Sequence, residues 1–211
     1  MMPVGPEQFI EHLFNTLTDK ELDMYTRKHQ DYGAIQNYPR VEAVARYCAE
    51  NWPGDLVEIG CLYGSATGLF AQIAREHGRR VIAVDPWVRL PYYADNPYEI
   101  FCACTASWSD IIDVVKLSSL TGEAIAYVKD RPLCFAYVDG LHTYGAALSD
   151  IQTVAHCAGI VAVDDIIEWE NAPGSNADVR QAFNEGAELL HRTPMSHYLC
   201  REGYLMPCKL R

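Results

Sequence analysis

Five short apolar runs in this chain end on groups able to hold a ligand or a proton. Glu58 lies at the end of "LVEIG", Asp85 closes "VIAVD", and Ser118 with Ser119 closes "DVVKLSS". Asp139 closes "LCFAYVD", and Asp164 with Asp165 closes "IVAVDD". One acidic strand end is commonplace, because Asp favours turns and helix caps. Four acidic ends out of five call for a chemical reason. Asp139, Asp164 and Asp165 would repel one another at a shared rim unless a cation neutralised them. Mg²⁺ takes hard oxygen ligands and keeps positions open for water or substrate. His142, three residues past Asp139 in "YVDGLHTYGAALSD", is suited to accept a proton near neutral pH. A plainer reading stands beside this one, with Asp139 as a helix cap, Asp164 and Asp165 in a turn, and His142 on the surface.

The segment "VEIGCLYGSATG" offers a different chemistry. Glu58-x-Gly60-x-x-x-Gly64, followed by Ser65, leaves a strand and opens a helix, so the backbone turns tightly and a ligand can approach it. The central glycine of a dinucleotide motif is missing, and Leu62 stands near its place. A pyrophosphate needs that glycine path, so a nicotinamide-dependent oxidoreductase is disfavoured. A carboxylate ahead of the first glycine suits a cationic ligand better than a phosphate. Asp85 can accept hydrogen bonds from the two hydroxyls of a ribose. Trp87, two residues on, either covers an adenine face or packs as a core or lid aromatic.

These residues must be positioned by a scaffold, and the sequence describes one. Near-continuous apolar runs at 55–60, 80–85, 113–119, 133–139 and 160–165 alternate with helix-length segments such as 65–77 and 143–155. That texture marks a parallel sheet covered on both faces, whose ligands bind outside the carboxyl ends of the strands. A helix is expected from Arg40 to about Asn51, with Pro39 at its start and Val41, Val44, Ala45 and Cys48 facing inward. Residues 195–200 and 204–208 flank Arg-Glu-Gly and read as a C-terminal antiparallel hairpin. The expected fold is α/β, a Rossmann-like, mostly parallel seven-stranded sheet with helices on both faces and that hairpin. Residues 1–38 are expected as a helical lid or substrate segment, and 39–211 as the main domain. The aromatic stretch 88–101 is assigned to the lid, where Tyr92, Tyr93, Tyr98 and, further on, Trp108 either stack on a substrate ring or pack the lid.

Composition narrows the function class. The 211 residues, 49% hydrophobic and 21% charged, suffice for one well-filled core. A net charge of −11, without a Lys/Arg run, argues against nucleic acid and anionic membranes as partners. No apolar run approaches the length of a membrane span. Of the eight cysteines, several sit inside apolar runs and none forms Cys-x-x-Cys. With no signal-peptide pattern in "MMPVGPEQ", free thiols and a cytoplasmic location are expected.

The stretches "VEIGCLYGSATGLFAQIA", "VIAVDPW", "FAYVDGLHTYGAALSDI" and "VAVDD" together resemble the class I S-adenosylmethionine-dependent methyltransferases. They are similar, more narrowly, to the small metal-dependent O-methyltransferases that include the macrocin-type sugar O-methyltransferases. The resemblance implies Glu58 and Gly60 at the methionine moiety of the cofactor, with Gly64 and Ser65 in the same loop. It implies Asp85 at the ribose, Trp87 beside it, and Ser118 and Ser119 near the adenine. It further implies a Mg²⁺ site of Asp139, Asp164 and Asp165, with His142 as the base that deprotonates an acceptor hydroxyl. Asp150 recurs in the family pattern and is expected to be structural, paired with a basic group. The expected activity is O-methylation of a small polyhydroxyl acceptor, such as a sugar of a natural product, with homo-oligomerisation open. Two alternatives remain at this point: the same fold working without metal, and a non-catalytic cofactor-binding domain that would need Glu58 and Asp85 but not the three aspartates.

Overall fold

A computed structural model describes residues 38–89, 96–166, 176–195 and 198–201. The segment expected as an N-terminal lid lies outside the described residues except for Tyr38, as do Tyr92 and Tyr93. Five parallel strands form the centre of the sheet: β1 (Asp55–Ile59), β2 (Val81–Val84), β3 (Ile112–Val115), β4 (Leu133–Val138) and β5 (Ile160–Val163). Two further strands, β6 (Arg192–Met195) and β7 (Tyr198–Arg201), run antiparallel at the β5 edge, giving the order β3-β2-β1-β4-β5-β7-β6. The hairpin expected from residues 195–200 and 204–208 is therefore not what the structure shows. The antiparallel partner of β7 lies before it in sequence, and residues 204–208 fall outside the described part.

Helices cover both faces, as continuous apolar strands require. On one face lie α1 (Tyr38–Asn51), α2 (Ser65–Glu76) and α3 (Pro97–Thr105); on the other lie α4 (Gly122–Lys129), α5 (Tyr144–Thr153) and α6 (Ala177–Leu189). Strand β1 shows how alternation feeds both layers. Leu56 packs with Phe70 and Phe135 on the first face, whereas Val57 and Ile59 pack with Ile151 and Val161 on the second. Helix α1 begins at Tyr38, and Val41, Val44, Ala45 and Cys48 are all buried, as their spacing predicts. Helix α3 occupies the stretch expected as lid. Asn96 caps it by accepting from the Tyr98 amide, and Pro97 fills its first turn. Cys48, Cys61, Cys102, Cys104, Cys134 and Cys157 are free thiols.

The chain leaves β1 toward β2 and β3 on one side and takes up β4 and β5 on the other, so the topological switch lies between β1 and β4. Gly60 makes that junction possible. It adopts φ +89, and a Cβ there would fall 1.9 Å from the carbonyl oxygen of Asp139. Backbone hydrogen bonds carry the ladder one residue past each strand. Gly60 donates to Val84, Asp85 to Val115, Asp139 to Ile59 and Asp164 to Val138, all at 2.8–3.2 Å. These bonds set four strand ends, three of them aspartates, along one rim.

Candidate active site at the carboxyl rim

On the β1–β2 side the acidic groups are enclosed by donors. Glu58 is 2% exposed, and its carboxyl group accepts from the Thr67 hydroxyl on α2. Burial, more than the nearby Asp139 and Asp85 charges, pushes Glu58 up to about 8, so it is largely protonated at neutral pH. Asp85 accepts three backbone bonds: from Cys61 and Leu62 at 2.9 and 3.0 Å through Oδ2, and from Trp87 at 2.6 Å through Oδ1. Trp87 is buried between Tyr98 and Phe101, and its indole N–H donates to the Leu62 carbonyl at 2.7 Å. The structure thus sets Trp87 in the core behind the loop rather than open to an adenine face. Tyr98 and Trp108 also pack against the core, and Lys116 Nζ lies 3.7 Å from the Tyr98 ring centre. Gly64, at φ +82, precedes α2 without a side-chain cap, and a Cβ there would strike Phe101 and Thr105 of α3. The first amides of α2, beginning at half-buried Ser65, therefore face a turn with no capping side chain.

Ser118 and Ser119 lie in the turn between β3 and α4, at the same end of the sheet. Ser118 Oγ accepts from the Leu120 amide at 3.3 Å, and its carbonyl accepts from the Thr121 amide and hydroxyl. Ser119 is near enough to Asp150 to favour its anion in part, although no hydrogen bond closes between them.

On the β4–β5 side, Asp139, His142 and Asp165 come together, each offering an atom within 4.8 Å of the others. His142 Nε2 is 3.5 Å from Asp139 Oδ1, and His142 Nδ1 is 3.3 Å from Asp165 Oδ2. All three side chains are partly open to solvent. Asp164, expected as the third carboxylate of this group, turns elsewhere. Its Oδ2 accepts from the Tyr137 hydroxyl at 2.8 Å and its Oδ1 from the Asp165 amide at 2.9 Å. That arrangement needs Asp165 at φ +54, a left-handed backbone that Asp tolerates better than most residues. Burial, with the Asp164 and Asp165 charges adding to it, pushes Asp139 up to about 7. The Asp139 hydrogen bond, with the charges of Asp165, Asp139 and Asp164, raises His142 above its ordinary value.

Two residues near this cluster take no part in it. Tyr144, two positions past His142, points away to α6, donating to Glu185 at 2.5 Å. Asp150 on α5 is fully buried beneath Gly140, and neither of its oxygens has a hydrogen-bond partner. No basic group pairs with it among the described residues, contrary to the expected ion pair. Trp87's bond to Leu62 and Tyr137's to Asp164 both escape sequence reasoning. An aromatic in or beside a buried strand carries no sign of what its polar tip will reach.

The donor sets fit the groups that the sequence resemblance implies. Gly60 lets the β1 and β4 ends meet at the switch point, uncapped amides stand beside it, and across the rim two carboxylates and an imidazole converge. Residues 57–166, just over half the chain, match the family described as "Methyltransferase domain". No curated protein matches the chain. Among solved structures, the fold is similar to CalS11, a TDP-rhamnose 3′-O-methyltransferase of calicheamicin biosynthesis. The TM-score is 0.59 at 18% identity, over 94% of this chain and 93% of that one. It is also similar to cofactor-bound Rv0187 from MTB, with TM-score 0.57, 18% identity, and coverage of 92% and 88%. The O-methyltransferase TomG from Streptomyces achromogenes, in complex with SAM, gives TM-score 0.53, 15% identity, and coverage of 90% and 87%. These likenesses bear on the fold, and the family match spans both halves of the rim from Val57 to Ile166. The chain belongs to the methyltransferase-domain family, as a class I S-adenosylmethionine-dependent methyltransferase.

Proposed function

We propose that the protein is an O-methyltransferase that uses a divalent cation and acts on a small polyhydroxyl acceptor, such as a sugar of a natural product. The observation that carries this reading is the convergence of Asp139, His142 and Asp165 across the switch point from the glycine loop. Two carboxylates and an imidazole at one open rim are costly to keep without a cation or a proton to neutralise them.

In this reading Gly60, Gly64 and Ser65, with the uncapped amides of α2, hold the amino-acid end of S-adenosylmethionine, while Glu58 shapes the loop from behind. Asp85, Ser118 and Ser119 line the nucleoside end. The bound cofactor supplies an electrophilic methyl group on a sulfonium. Asp139 and Asp165 hold the cation, with Asp164 adding a third negative charge held in place by Tyr137. Hard carboxylate oxygens favour Mg²⁺, and the adjacent imidazole leaves Mn²⁺ acceptable. Asp165 orients His142 through Nδ1, and Nε2, which faces Asp139, takes the proton of the acceptor hydroxyl once the Asp139 carboxylate turns to the cation. CalS11, which methylates a TDP-rhamnose, is the similar structure that most directly suggests a sugar acceptor. The acidic net charge is consistent with a small-molecule acceptor rather than nucleic acid, and no helix of the described residues is long and apolar enough to cross a membrane. A cytoplasmic location and self-association into a homo-oligomer remain part of this proposal.

A second reading makes His142 a third cation ligand, because its ring lies between the two carboxylates. Transfer of labelled methyl from S-adenosylmethionine to a panel of sugars and catechols, with and without EDTA, tests the main reading. Transfer to a sugar or catechol hydroxyl, lost with EDTA and restored by Mg²⁺ or Mn²⁺, is the expected result. Full activity after chelation would remove the cation from the mechanism and leave the methyltransferase fold alone.

A further inference from the structure

We propose that Trp87 is a positioning residue for the cofactor loop: with Asp85 it clasps Leu62 in a backbone conformation that a glycine would otherwise supply. The inference rests on assigning residues 60–65 to S-adenosylmethionine.

The argument begins with a substitution. Where dinucleotide-type loops carry a central glycine, this chain carries Leu62. The backbone did not change to suit a side chain. Leu62 sits at φ +43, in the left-handed region that disfavours any residue with a Cβ. An exposed leucine left to itself would relax toward negative φ and rotate its peptide groups away from the turn. Leu62 is 38% exposed, so packing of its side chain does not hold it.

Its two backbone polar groups do. The Leu62 amide donates to Asp85 Oδ2 at 3.0 Å, beside the Cys61 amide at 2.9 Å. The Leu62 carbonyl accepts from Trp87 Nε1 at 2.7 Å. The clasp is itself anchored at its other end. Trp87 also has a left-handed backbone, at φ +44, and its amide donates to Asp85 Oδ1 at 2.6 Å. The residue is 6% exposed, its ring wedged against Phe101 at 4.6 Å and Tyr98 at 5.1 Å between ring centres. Two residues in a conformation that each resists alone are therefore cross-linked through one carboxylate and one indole. Held this way, the loop is ordered before a ligand arrives, and the ligand does not bear the cost of ordering it.

The test is a rescue experiment read by calorimetric titration with S-adenosylhomocysteine, together with KM for S-adenosylmethionine and kcat. Trp87→Phe keeps a ring in the core and removes the N–H. Affinity should fall about tenfold, since a carbonyl loses its partner, and KM should rise while kcat changes little. Adding Leu62→Gly to that variant should restore affinity to within about threefold of the wild type, because glycine adopts positive φ unaided. A purely structural tryptophan would not be rescued at a position whose side chain faces solvent. A second arm does not depend on the folding of a core variant. Exposed Leu62→Val should bind more weakly than Leu62→Gly, because β-branching resists positive φ. The reverse order, or failure of Leu62→Gly to rescue Trp87→Phe, overturns the clasp. If the wild-type protein itself does not bind S-adenosylhomocysteine, the cofactor assignment fails instead, and the two failures are distinct.

Discussion

The two halves of the rim are built on opposite principles. At β1–β2 the protein satisfies its own acids: Thr67 donates to Glu58, and three backbone amides converge on Asp85. At β4–β5 it brings acids together around one imidazole and leaves the deepest of them, Asp150, without a donor. Asp139 and Asp165 share one imidazole at 3.3–3.5 Å, and Asp150 beneath them has no hydrogen-bond partner. A finished half holds a shape; an unfinished half holds a charge imbalance that something else must complete. The first suits a cofactor bound through many fixed contacts, and the second suits a cation and an acceptor that come and go. The contrast also separates affinity from turnover, because damage to each half should show in a different measurement.

The sharpest way to break that separation is at His142. His142→Ala should lose about 10²–10⁴ in kcat, the usual range for removal of a general base, while S-adenosylhomocysteine affinity stays within about twofold. Titration of Mn²⁺ followed by electron paramagnetic resonance distinguishes the two roles of the ring. Unchanged Mn²⁺ affinity supports the base, and a large loss of affinity makes His142 a ligand. Near-normal turnover would make it a bystander and dissolve the functional half as described. On the finished side, Asp85→Ala should weaken S-adenosylhomocysteine binding about tenfold or more, because hydrogen bonds to a charged group are worth roughly 1.5–3 kcal/mol. Mn²⁺ affinity should not move. If calorimetry shows full cofactor affinity in a folded Asp85→Ala protein, the β2 end is not part of the binding half.

Much of this arrangement is visible in the sequence, for a simple physical reason. Strands buried on both faces are written as unbroken apolar runs, so all five parallel strands and the four acidic ends among them stand out. Helix α1 declares its inward face by spacing alone. Helix α3 is harder to read inside an aromatic stretch, although Asn96 and Pro97 are a cap and first-turn pair that mark its start. The edge pair β6–β7 is obscure because four-residue strands carry little alternation and one contains Pro194. In the site, the spacing of Asp139 and His142 is legible, since a short turn leaves them few places to go. Which of two adjacent aspartates faces the cluster is not legible. That choice turns on the left-handed backbone of Asp165 and on a tyrosine hydroxyl arriving from the neighbouring strand. The clasp at Leu62 hides for the same reason: a dihedral angle is not written in a residue's type.

An effect of about the same size as the loss at Asp85 tests whether the unfinished half costs the protein stability on its own account. Asp150 is fully buried, and a Cβ on Gly140 would lie 2.6 Å from its Oδ2. Burial pushes its carboxyl group from 3.8 up to about 6, with Ser119 favouring the anion only in part. A pKa higher in the folded than in the unfolded state means that folding is favoured by protonation. This contribution is fully present below about pH 4 and is lost as pH rises toward 6. Above that window the buried anion costs on the order of 3 kcal/mol, from a shift of about two units. Asp150→Asn should therefore raise the urea midpoint at pH 8 and leave it nearly unchanged at pH 4. Mg²⁺ should not alter the difference, because the Asp150 oxygens have no surface for an ion to reach. A variant less stable than the wild type at pH 8 would show that the Asp150 anion is compensated within the fold. The β4–β5 half would then be finished beneath its surface, and the contrast between the two halves would be confined to the exposed Asp139–His142–Asp165 group.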